Sequence, residues 1–377
     1  MRRFSPAGML DHTPPLPGGV AALHSGGGSQ NWCFIGELPY HPGPERIRFL
    51  ENGMSRNKFS GSLLAASLIF STPLTMADGW PGKPVHVIVA FAPGSTPDLV
   101  ARLVAERLAL RIGKPVIVEN KPGAAGNIGT DAVAKAAPDG YTLGMTISGP
   151  LAANTLLFKG LPYNPQTDIE PLTIAATQPS VLVVSPGVGV GDMPALLAKL
   201  RDNQGKFNYA SMGSGSISHL AMAAIASRSG TDIVHVPYTG SGQAVASLLA
   251  GDTQIAVLPA AAVMQHVRAG KLKALAVATA KRSDVLPGLP TLAESGLPDI
   301  HGDAWMGFIA PARTPAAILA RLQGEISLIV KSDDMKQKLQ AQLMEPVGGT
   351  AAEFRATLQA DLARWQPVIR KNNIALD

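Results

Sequence analysis

The sequence predicts an α/β fold in which mostly parallel strands alternate with helices, and two observations carry this prediction. Runs of β-branched and apolar residues alternate with segments of helical periodicity along residues 85–278, which is the pattern of successive βαβ units. The first of these runs, Val85 to Phe91, is almost continuously apolar, as in a strand that is buried on both faces. We therefore expect helices on both faces of each sheet and ligand-binding loops at the carboxyl ends of the strands.

Composition limits the classes of function. The chain has 377 residues, of which 46% are hydrophobic and 16% charged, and its formal net charge is +5. It is long enough for two domains and too apolar to be disordered. No run of Lys and Arg is interleaved with aromatic residues, so we expect no binding to nucleic acid.

The N-terminal region predicts export. Residues 1–53 are broken by Pro and Gly, whereas residues 54–77 have a basic start, an apolar core from Phe59 to Phe70 and a small-residue end at Ala77. This is the pattern of a secretory signal peptide. We expect translation to start at Met54, with residues 1–53 an upstream extension; the alternative is a genuine long leader. The mature protein would lie in the periplasm.

The sequence predicts no metal site, no nucleophilic serine motif and no nucleotide-binding loop. The single cysteine, Cys33, precedes the predicted cleavage site, so the mature chain would have neither a disulfide nor a Cys-ligated metal. Its histidines form no H-x-x-x-H pair, and no G-x-S-x-G motif is present. The glycines of residues 121–129 match neither dinucleotide-binding nor P-loop spacing. We therefore expect no metal, no cofactor and no enzymatic activity, with a secreted hydrolase as the alternative.

The first strand leads into a loop and a helix start that suit an anion. A turn at Pro93-Gly94 is followed by Ser95 or Thr96 as N-cap, Pro97 in the first turn and then Asp98. Free N–H groups and hydroxyls at such a helix start bind anions well. The alternative is a capped turn without a ligand. Asp98 either favours the helix dipole, which is the interpretation we prefer, or reaches a ligand.

The same arrangement recurs in the second half of the chain. A short strand, Asn208-Tyr209-Ala210-Ser211, precedes a Gly/Ser segment and a helix that begins near Ser216. Ser211, Ser216 and the adjacent N–H groups are candidates for hydrogen bonds to a carboxylate. His219 either supports them or packs at the helix start. A nucleophilic Ser–His pair is not expected from sequence neighbours.

Further segments organise the rest of the chain. Ser148 and Asn154 follow the third predicted strand and add to the loops at its carboxyl end. Thr173 to Pro186 is a strand pair or one long strand that crosses into a second domain. Two C-terminal helices have start signals at Thr314-Pro315 and at the capping box Thr350 to Glu353, and we expect both helices to pack on the first domain.

Ordered motifs over residues 80–377 resemble a known receptor family. They include Trp80-Pro81-Gly82-Lys83-Pro84, Phe91-Ala92-Pro93-Gly94, Val118-Glu119-Asn120-Lys121-Pro122-Gly123-Ala124, Pro138-Asp139-Gly140-Tyr141-Thr142-Leu143, Asn208-Tyr209-Ala210-Ser211, His219-Leu220 and Val236-Pro237-Tyr238. The chain resembles the tripartite tricarboxylate transporter substrate-binding proteins, the Bug or TctC-like receptors.

This resemblance implies a two-lobed, type II periplasmic-binding-protein-like fold with a ligand cleft between the lobes. Lobe 1 would comprise residues 78–176 and 278–377, and lobe 2 residues 177–277. The protein would be a monomer that captures a small carboxylate and delivers it to the membrane components of a tripartite transporter. Ligand sensing without transport is the alternative.

The resemblance also implies the ligand-binding residues. They are Pro93, Gly94, Ser95, Thr96, Asp98, Ser148, Asn154, Ser211, Gly213, Ser216 and His219. Thr239, in the turn before the next predicted helix, is a further candidate. The chain departs from the family pattern at Ser95, where a second glycine is usual. It also departs after His219, where Ala221-Met222-Ala223-Ala224 replaces a helix segment that often carries an acid.

Overall fold

Residues 79–376 are described by a computed structural model and contain two β-sheets flanked by helices. The predicted signal peptide, translation start and Cys33 lie outside the described residues. The strands are β1 (Val85–Val89), β2 (Val116–Asn120), β3 (Thr142–Ile147), β4 (Ile169–Gln178), β5 (Ser180–Val184), β6 (Asn208–Ser211), β7 (Val234–Pro237), β8 (Ile255–Pro259), β9 (Lys273–Val277), β10 (Ala304–Pro311) and β11 (Glu345–Pro346).

The helices cover both sheets. They are α1 (Thr96–Ile112), α2 (Asn127–Ala134), α3 (Asn154–Leu157), α4 (Met193–Asp202), α5 (Ile217–Ser229), α6 (Ser241–Ala250), α7 (Ala260–Arg268), α8 (Ala316–Val330), α9 (Asp333–Ala341) and α10 (Ala351–Lys371). Short 3-10 turns at Ala124–Gly126 and Pro186–Val188 and a π-helical turn at Gly149–Ala153 complete the described regular structure. No helix among the described residues is long and apolar enough to cross a membrane.

The two sheets share one topology. The first has the order β11-β4-β10-β3-β1-β2, and the second has the order β7-β6-β8-β5-β9. In each sheet, three parallel strands lie side by side with the first of them in the centre: β2-β1-β3 in the first sheet and β7-β6-β8 in the second. The last strand of each set then pairs antiparallel, β3 with β10 and β8 with β5. In an open α/β sheet, the loop that follows the middle strand of such an order lies at the crevice where ligands bind.

The first passage of the chain from one sheet to the other takes a single residue. Strand β4 ends at Gln178 in the first sheet, and β5 begins at Ser180 in the second, with Pro179 between them. The predicted crossing is therefore a strand pair. Strand β10, which follows the second sheet in sequence, returns to pair with β3 and β4.

The apolar runs form the cores that the sequence predicts. Val85, Val87 and Val89 of β1 are fully buried together with Val100, Val104 and Leu108 of α1. The α1 residues are spaced by four, which places one face of this helix on the sheet. A separate cluster packs α4 and α5 against the second sheet.

The C-terminal helix packs on the first sheet as expected and extends to the second. Its predicted capping box is present, with reciprocal hydrogen bonds between Thr350 and Glu353. Phe354 then packs edge-on against Trp305 of the first sheet at a centroid distance of 4.9 Å. The other end of α10 places Trp365 and Ile369 in the core of the second sheet. Helix α10 thus packs on the first sheet, as the sequence predicts, and in addition contacts the second sheet, which the sequence does not predict.

Other elements were not predicted. Helices α7 and α9 and the short strand β11 have no counterpart in the sequence interpretation. Helix α7 directly follows Pro259 at the end of β8, so no turn residue separates strand from helix. The residue boundaries that we expect for the lobes remain a prediction.

A matched pair of glycine substitutions tests the packing of β10. A Cβ on Gly307 would overlap the ring of Phe354, which is 1% exposed, so Gly307→Ala is expected to lower the free energy of unfolding by about 1–3 kcal/mol. A Cβ on Gly324 in α8 meets no atom within 4 Å, so Gly324→Ala is expected to raise it by roughly 0.5–1 kcal/mol. Denaturant unfolding of both variants checks this pair. Equal effects would contradict the packing described here.

Candidate binding site

Asp98 organises the loop that follows β1, residues 93–98, which we call loop 1. Its carboxylate is 3% exposed and accepts hydrogen bonds from the Gly94 N–H at 2.9 Å, from Arg102 Nε at 3.0 Å and from Asn120 Nδ2 at 2.8 Å. Burial alone would raise the pKa of this carboxyl, but the bonds from Arg102, Gly94 and Asn120 hold it below its usual value. Asp98 therefore has the partners of a structural residue that fixes loop 1.

Loop 1 leaves several donors free. Ser95 has the backbone geometry of an N-cap, yet its side chain makes no capping bond, and its buried Oγ has no hydrogen-bond partner. Among the described residues, the N–H groups of Thr96 and Asp98 also have no acceptor. Because these groups lie at the positive end of α1, they can interact with an anion.

The loops after β1, β2 and β3 meet at one glycine. A Cβ on Gly126 would lie 2.7 Å from Phe91 Cζ and 2.8 Å from Pro150 Cγ. The loop after β3 adds Ser148, which is 1% exposed and whose Oγ has no hydrogen-bond partner in the described part of the chain. A buried hydroxyl without a partner is unusual and is a candidate for a bond to a bound ligand.

Asn154 joins the loops after β2 and β3. It is 3% exposed, and its Nδ2 donates to Asn127 Oδ1 at 2.6 Å. Tyr163 donates to the same Asn127 oxygen at 3.0 Å and lies 2.8 Å from the Pro150 carbonyl oxygen. These bonds place Asn154 beside the other first-sheet candidates and give it a role in holding the loops together.

In the second sheet, the loop after β6, residues 211–219, is held by its own hydroxyl groups; we call it loop 2. Ser216 is the N-cap of α5, and its Oγ accepts from the His219 N–H at 3.4 Å and donates to the Gly213 carbonyl at 2.6 Å. Ser218 Oγ accepts from the Met212 N–H at 2.8 Å. The serines thus satisfy several loop donors and acceptors themselves.

Three N–H groups of loop 2 are left without an acceptor in the described structure, those of Ser214, Ile217 and Ser218. Ile217 and Ser218 are the first two residues of α5, so their N–H groups point out of the helix start. The backbone of loop 2, more than its hydroxyls, offers free donors to an anion.

His219 has a defined place in loop 2. It is 8% exposed, and its Nδ1 accepts from the Gly215 N–H at 3.0 Å, so this nitrogen carries no proton. Its ring stacks on that of His235 at a centroid distance of 3.8 Å and an interplanar angle of 8°. Burial, and then the neighbouring His235, lower the pKa of His219 to about 4.

Sheet order and local contacts divide the sequence-predicted residues into two groups. Loop 1, Ser148 and Asn154 follow the adjacent parallel strands β1 and β3 of the first sheet, and loop 2 lies beside Thr239, whose neighbour Tyr238 donates its N–H to the Ser211 carbonyl at 3.0 Å. No hydrogen bond, ion pair or ring contact within residues 79–376 joins loop 1 to loop 2. Loop 2 instead touches α3, because a Cβ on Gly215 would lie 2.8 Å from Leu157 Cδ1.

Thr239 and Gly213 differ in their surroundings. Thr239 is exposed, and its Oγ1 donates to Gln243 Oε1 at 2.7 Å. Gly213 has φ of 119°, a conformation that favours glycine. In the described part of the chain, no group of three His, Cys, Asp or Glu is arranged to hold a metal ion.

Sequence reasoning left out His235 and Asn120, which contact the predicted residues. His235 Nε2 lies 2.7 Å from Ser211 Oγ, and Asn120 Nδ2 donates to Asp98. Asn120 lies on β2, which is parallel to β1, and His235 lies on β7, which is parallel to β6. Once the strand order is known, the register of β2 on β1 and of β7 on β6 shows that both residues lie near the predicted site residues.

Comparison with known proteins gives one family. The family model of the tripartite tricarboxylate transporter family receptor matches residues 100–374. The chain is 36% identical to BugT of Bordetella pertussis over 301 residues, which cover 80% of this chain and 92% of BugT.

Solved structures agree with this family. A protein of R. palustris solved with adipate is 33% identical, with a TM-score of 0.70 and coverage of 78% of this chain and 99% of that one. The periplasmic binding protein BugD is 29% identical, with a TM-score of 0.67 and coverage of 78% and 99%. These similarities and the two sheets confirm the predicted two-lobed α/β fold of the periplasmic-binding-protein type.

The lowered pKa of His219 predicts a pH dependence of stability. An unfolded histidine binds a proton near pH 6.5, whereas folded His219 does so only near pH 4, so its neutral state stabilises the fold above pH 6.5 and this contribution is lost as the pH falls towards 4. His219→Asn keeps an acceptor for the Gly215 N–H but does not titrate. We expect the difference in unfolding free energy between wild type and this variant to shrink between pH 7 and pH 4.

Urea unfolding at several pH values checks this prediction. The groups around the His219 ring are His235 and Tyr209 in ring contact and Asp232 and Lys371, which line the same cavity of about 450 Å³. Ser332→Ala, which removes an N-cap and no titratable group, serves as control and should show a constant difference from wild type. A constant difference for His219→Asn would contradict the prediction.

Proposed function

The chain belongs to the tripartite tricarboxylate transporter receptor family, and we propose that it is a periplasmic solute-binding protein that captures a small carboxylate between its two lobes. The observation that carries this proposal is the pair of helix starts after the two middle strands. Each offers backbone N–H groups that have no acceptor in the described structure.

A carboxylate fits these donors without a charged clamp. Backbone N–H groups at a helix start carry partial positive charge and bind an anion with strong hydrogen bonds. Arg102, the cation nearest to loop 1 in sequence, is occupied by Asp98 and Asn120. Ser95 and Ser148 add hydroxyls without partners, which supports a ligand that accepts hydrogen bonds.

Closure of the lobes would bring loops 1 and 2 onto the same ligand. The sheets are joined through the crossing at Pro179 and through the return into β10, and such crossing segments act as hinges in two-lobed binding proteins. We propose lobe boundaries at residues 78–176 with 278–377 and at residues 177–277. The ligand would then contact Pro93, Gly94, Ser95, Thr96, Ser148, Asn154, Ser211, Gly213, Ser216, His219 and Thr239, while Asp98 holds loop 1.

The family also supports the cellular setting. We propose export through a signal peptide at residues 54–77, binding as a monomer in the periplasm and delivery of the ligand to the membrane components of a tripartite transporter. The adipate held by the R. palustris relative supports a carboxylate in this chain. Ser95, in place of the usual glycine, is the position where ligand choice would depart from the relatives.

Binding is proposed in preference to catalysis. Every titratable residue of loops 1 and 2 is occupied: Asp98 by three donors and His219 by the Gly215 N–H. Neither is placed as a free general acid or base. Incubation of the protein with a bound acid, followed by analysis of the acid, would overturn this choice if the acid were consumed.

A panel of acids tests the proposed function. Adipate, malate, citrate, glutamate and benzoate are added to the purified protein, and its melting temperature is measured. An acid that binds only the folded state raises this temperature, and the rise grows with the logarithm of the ratio of its concentration to its dissociation constant. A rise for at least one acid, matched by a heat of binding in calorimetry, is expected. No rise for any small carboxylate would contradict the proposal.

Ser148→Ala separates binding from folding. Its Oγ has no hydrogen-bond partner, so the melting temperature without ligand should not fall. The dissociation constant should rise about 10-fold or more, because a hydrogen bond to a charged ligand contributes roughly 1.5–3 kcal/mol. Calorimetric titration with the acid found above measures this change.

Ser229→Ala is the matched control. Ser229 is also a buried serine, but its Oγ donates to the Ile225 carbonyl at 2.7 Å and contacts Thr231 Oγ1 at 2.9 Å. This variant should lower the melting temperature and leave the dissociation constant unchanged. An unchanged dissociation constant in Ser148→Ala would remove Ser148 from the binding site.

A further inference from the structure

His235 lies beside loop 2 because of the strand register. Strands β6 and β7 are parallel, and Tyr209 is paired with His235. Ser211 follows Tyr209 by two residues and therefore lies on the same face of the sheet. From this position the His235 ring contacts Tyr209 at a centroid distance of 4.9 Å, and its Nε2 lies 2.7 Å from Ser211 Oγ.

Through Ser211, His235 is connected to the peptide groups of Gly213. Ser211 Oγ accepts from the Gly213 N–H at 3.2 Å and lies 3.1 Å from the Gly213 carbonyl oxygen. That carbonyl also accepts from Ser216 Oγ at 2.6 Å and from the Ser216 N–H at 3.2 Å. Since Gly213 has φ of 119° and a glycine backbone is permissive, these bonds fix a residue that would otherwise be free to move.

Through its stacking on the His219 ring, His235 also supports Gly215. The His219 ring lies on His235 with nearly parallel planes, and its Nδ1 holds the Gly215 N–H. Burial lowers the pKa of both histidines, which keeps both rings neutral at pH 7. Neutral rings can stack closely, and a neutral His219 keeps Nδ1 as an acceptor.

We propose that His235 is the positioning residue of loop 2: it fixes Gly213 through Ser211 and Gly215 through His219, so that the N–H groups of Ser214, Ile217 and Ser218 stay available to one bound anion. This inference rests on the proposed function. His235 is not among the residues proposed to contact the ligand, so it acts on affinity only through the loop residues that it touches.

Two substitutions at His235 separate its hydrogen bond from its ring. His235→Phe keeps an aromatic ring for the stack and removes the partner of Ser211 Oγ. His235→Gln places an amide where Nε2 lies and restores a partner. With the acid identified in the panel, we expect His235→Phe to raise the dissociation constant about 5-fold or more, which is the effect of losing one neutral hydrogen bond, and His235→Gln to stay within about 2-fold of wild type.

His86 supplies the matched control. It is also a half-buried histidine on a strand, with Nδ1 2.7 Å from Glu119 Oε1, but it lies in β1 away from loops 1 and 2. His86→Phe and His86→Gln should leave the dissociation constant unchanged. A loss of affinity in both His86 variants equal to that of His235→Phe would assign the effect to general destabilisation and overturn the proposal.

Amide hydrogen exchange of the ligand-free protein reports the positioning directly. In His235→Phe, the Gly213 amide should exchange faster because the bond to Ser211 is lost, while the Gly215 amide, supported by the remaining ring, and the amides of β1 keep wild-type rates. Ser211→Ala should give the same acceleration at Gly213, and the double variant should exchange Gly213 no faster than either single variant, because the two residues act through one bond. Additive accelerations at Gly213, or unchanged exchange of Gly213 in His235→Phe, would overturn the proposal.

The two proposals fail in different ways. If wild-type protein binds no acid in the panel, the proposed function fails, and the exchange rate of Gly213 still decides the positioning role. If wild type binds and His235→Phe retains wild-type affinity, the proposed function stands and the positioning role fails. If His235→Phe does not fold, Ser211→Ala provides the same comparison at Gly213.

Discussion

Every helix begins with N–H groups that have no partner within the helix. Loops 1 and 2 meet this constraint in different ways. In loop 1, the carboxylate of Asp98 turns back to the Gly94 N–H, while Ser95 does not cap its helix. In loop 2, Ser216 caps the helix and His219 takes the Gly215 N–H. Both solutions leave a few backbone donors free while the loop around them is held rigidly, and this combination is what an anion site requires.

The repeated strand order places those donors. In both sheets the first strand of the βαβαβ unit lies between the other two parallel strands, and the third strand lies between it and a strand that runs antiparallel. The helix after the middle strand therefore begins at the switch point of the sheet. Because the two lobes have the same order, the chain presents two equivalent helix starts, and the loop after β3 adds the unpartnered hydroxyl of Ser148 to the first of them.

Local pattern was enough to predict most of the fold. The apolar run from Val85 predicts strand β1, the Gly/Ser segment predicts the start of α5, and the capping box at Thr350 predicts the start of α10. Helix α7 could not be predicted in this way, because it follows β8 without a turn residue. Contact of α10 with both halves of the fold depends on tertiary packing of Trp365, which no local signal reports.

The candidate site was predictable in its residue types and less so in its contacts. Residues near loops 1 and 2 were identified from Gly, Ser and helix-start signals, but the partners of each hydroxyl depend on the register between strands. Ser216, predicted as a ligand donor, is occupied by Gly213 and His219, whereas Ser148 has no partner. His235 was overlooked because its neighbour Ser211 is 24 residues away in sequence and the two meet only when β7 pairs with β6.

The last residues of the chain have a practical consequence for biosensor design. The Leu376 N–H donates to the Leu157 carbonyl at 3.0 Å, and a Cβ on Gly215 would lie 2.8 Å from Leu376 Cδ1. A fluorescent reporter or affinity handle attached at Leu376 would therefore start beside the loop that is proposed to hold the ligand. Such a fusion needs a flexible spacer if it is to report binding without altering it, whereas a reporter that is meant to respond to the state of this loop would be attached there without one.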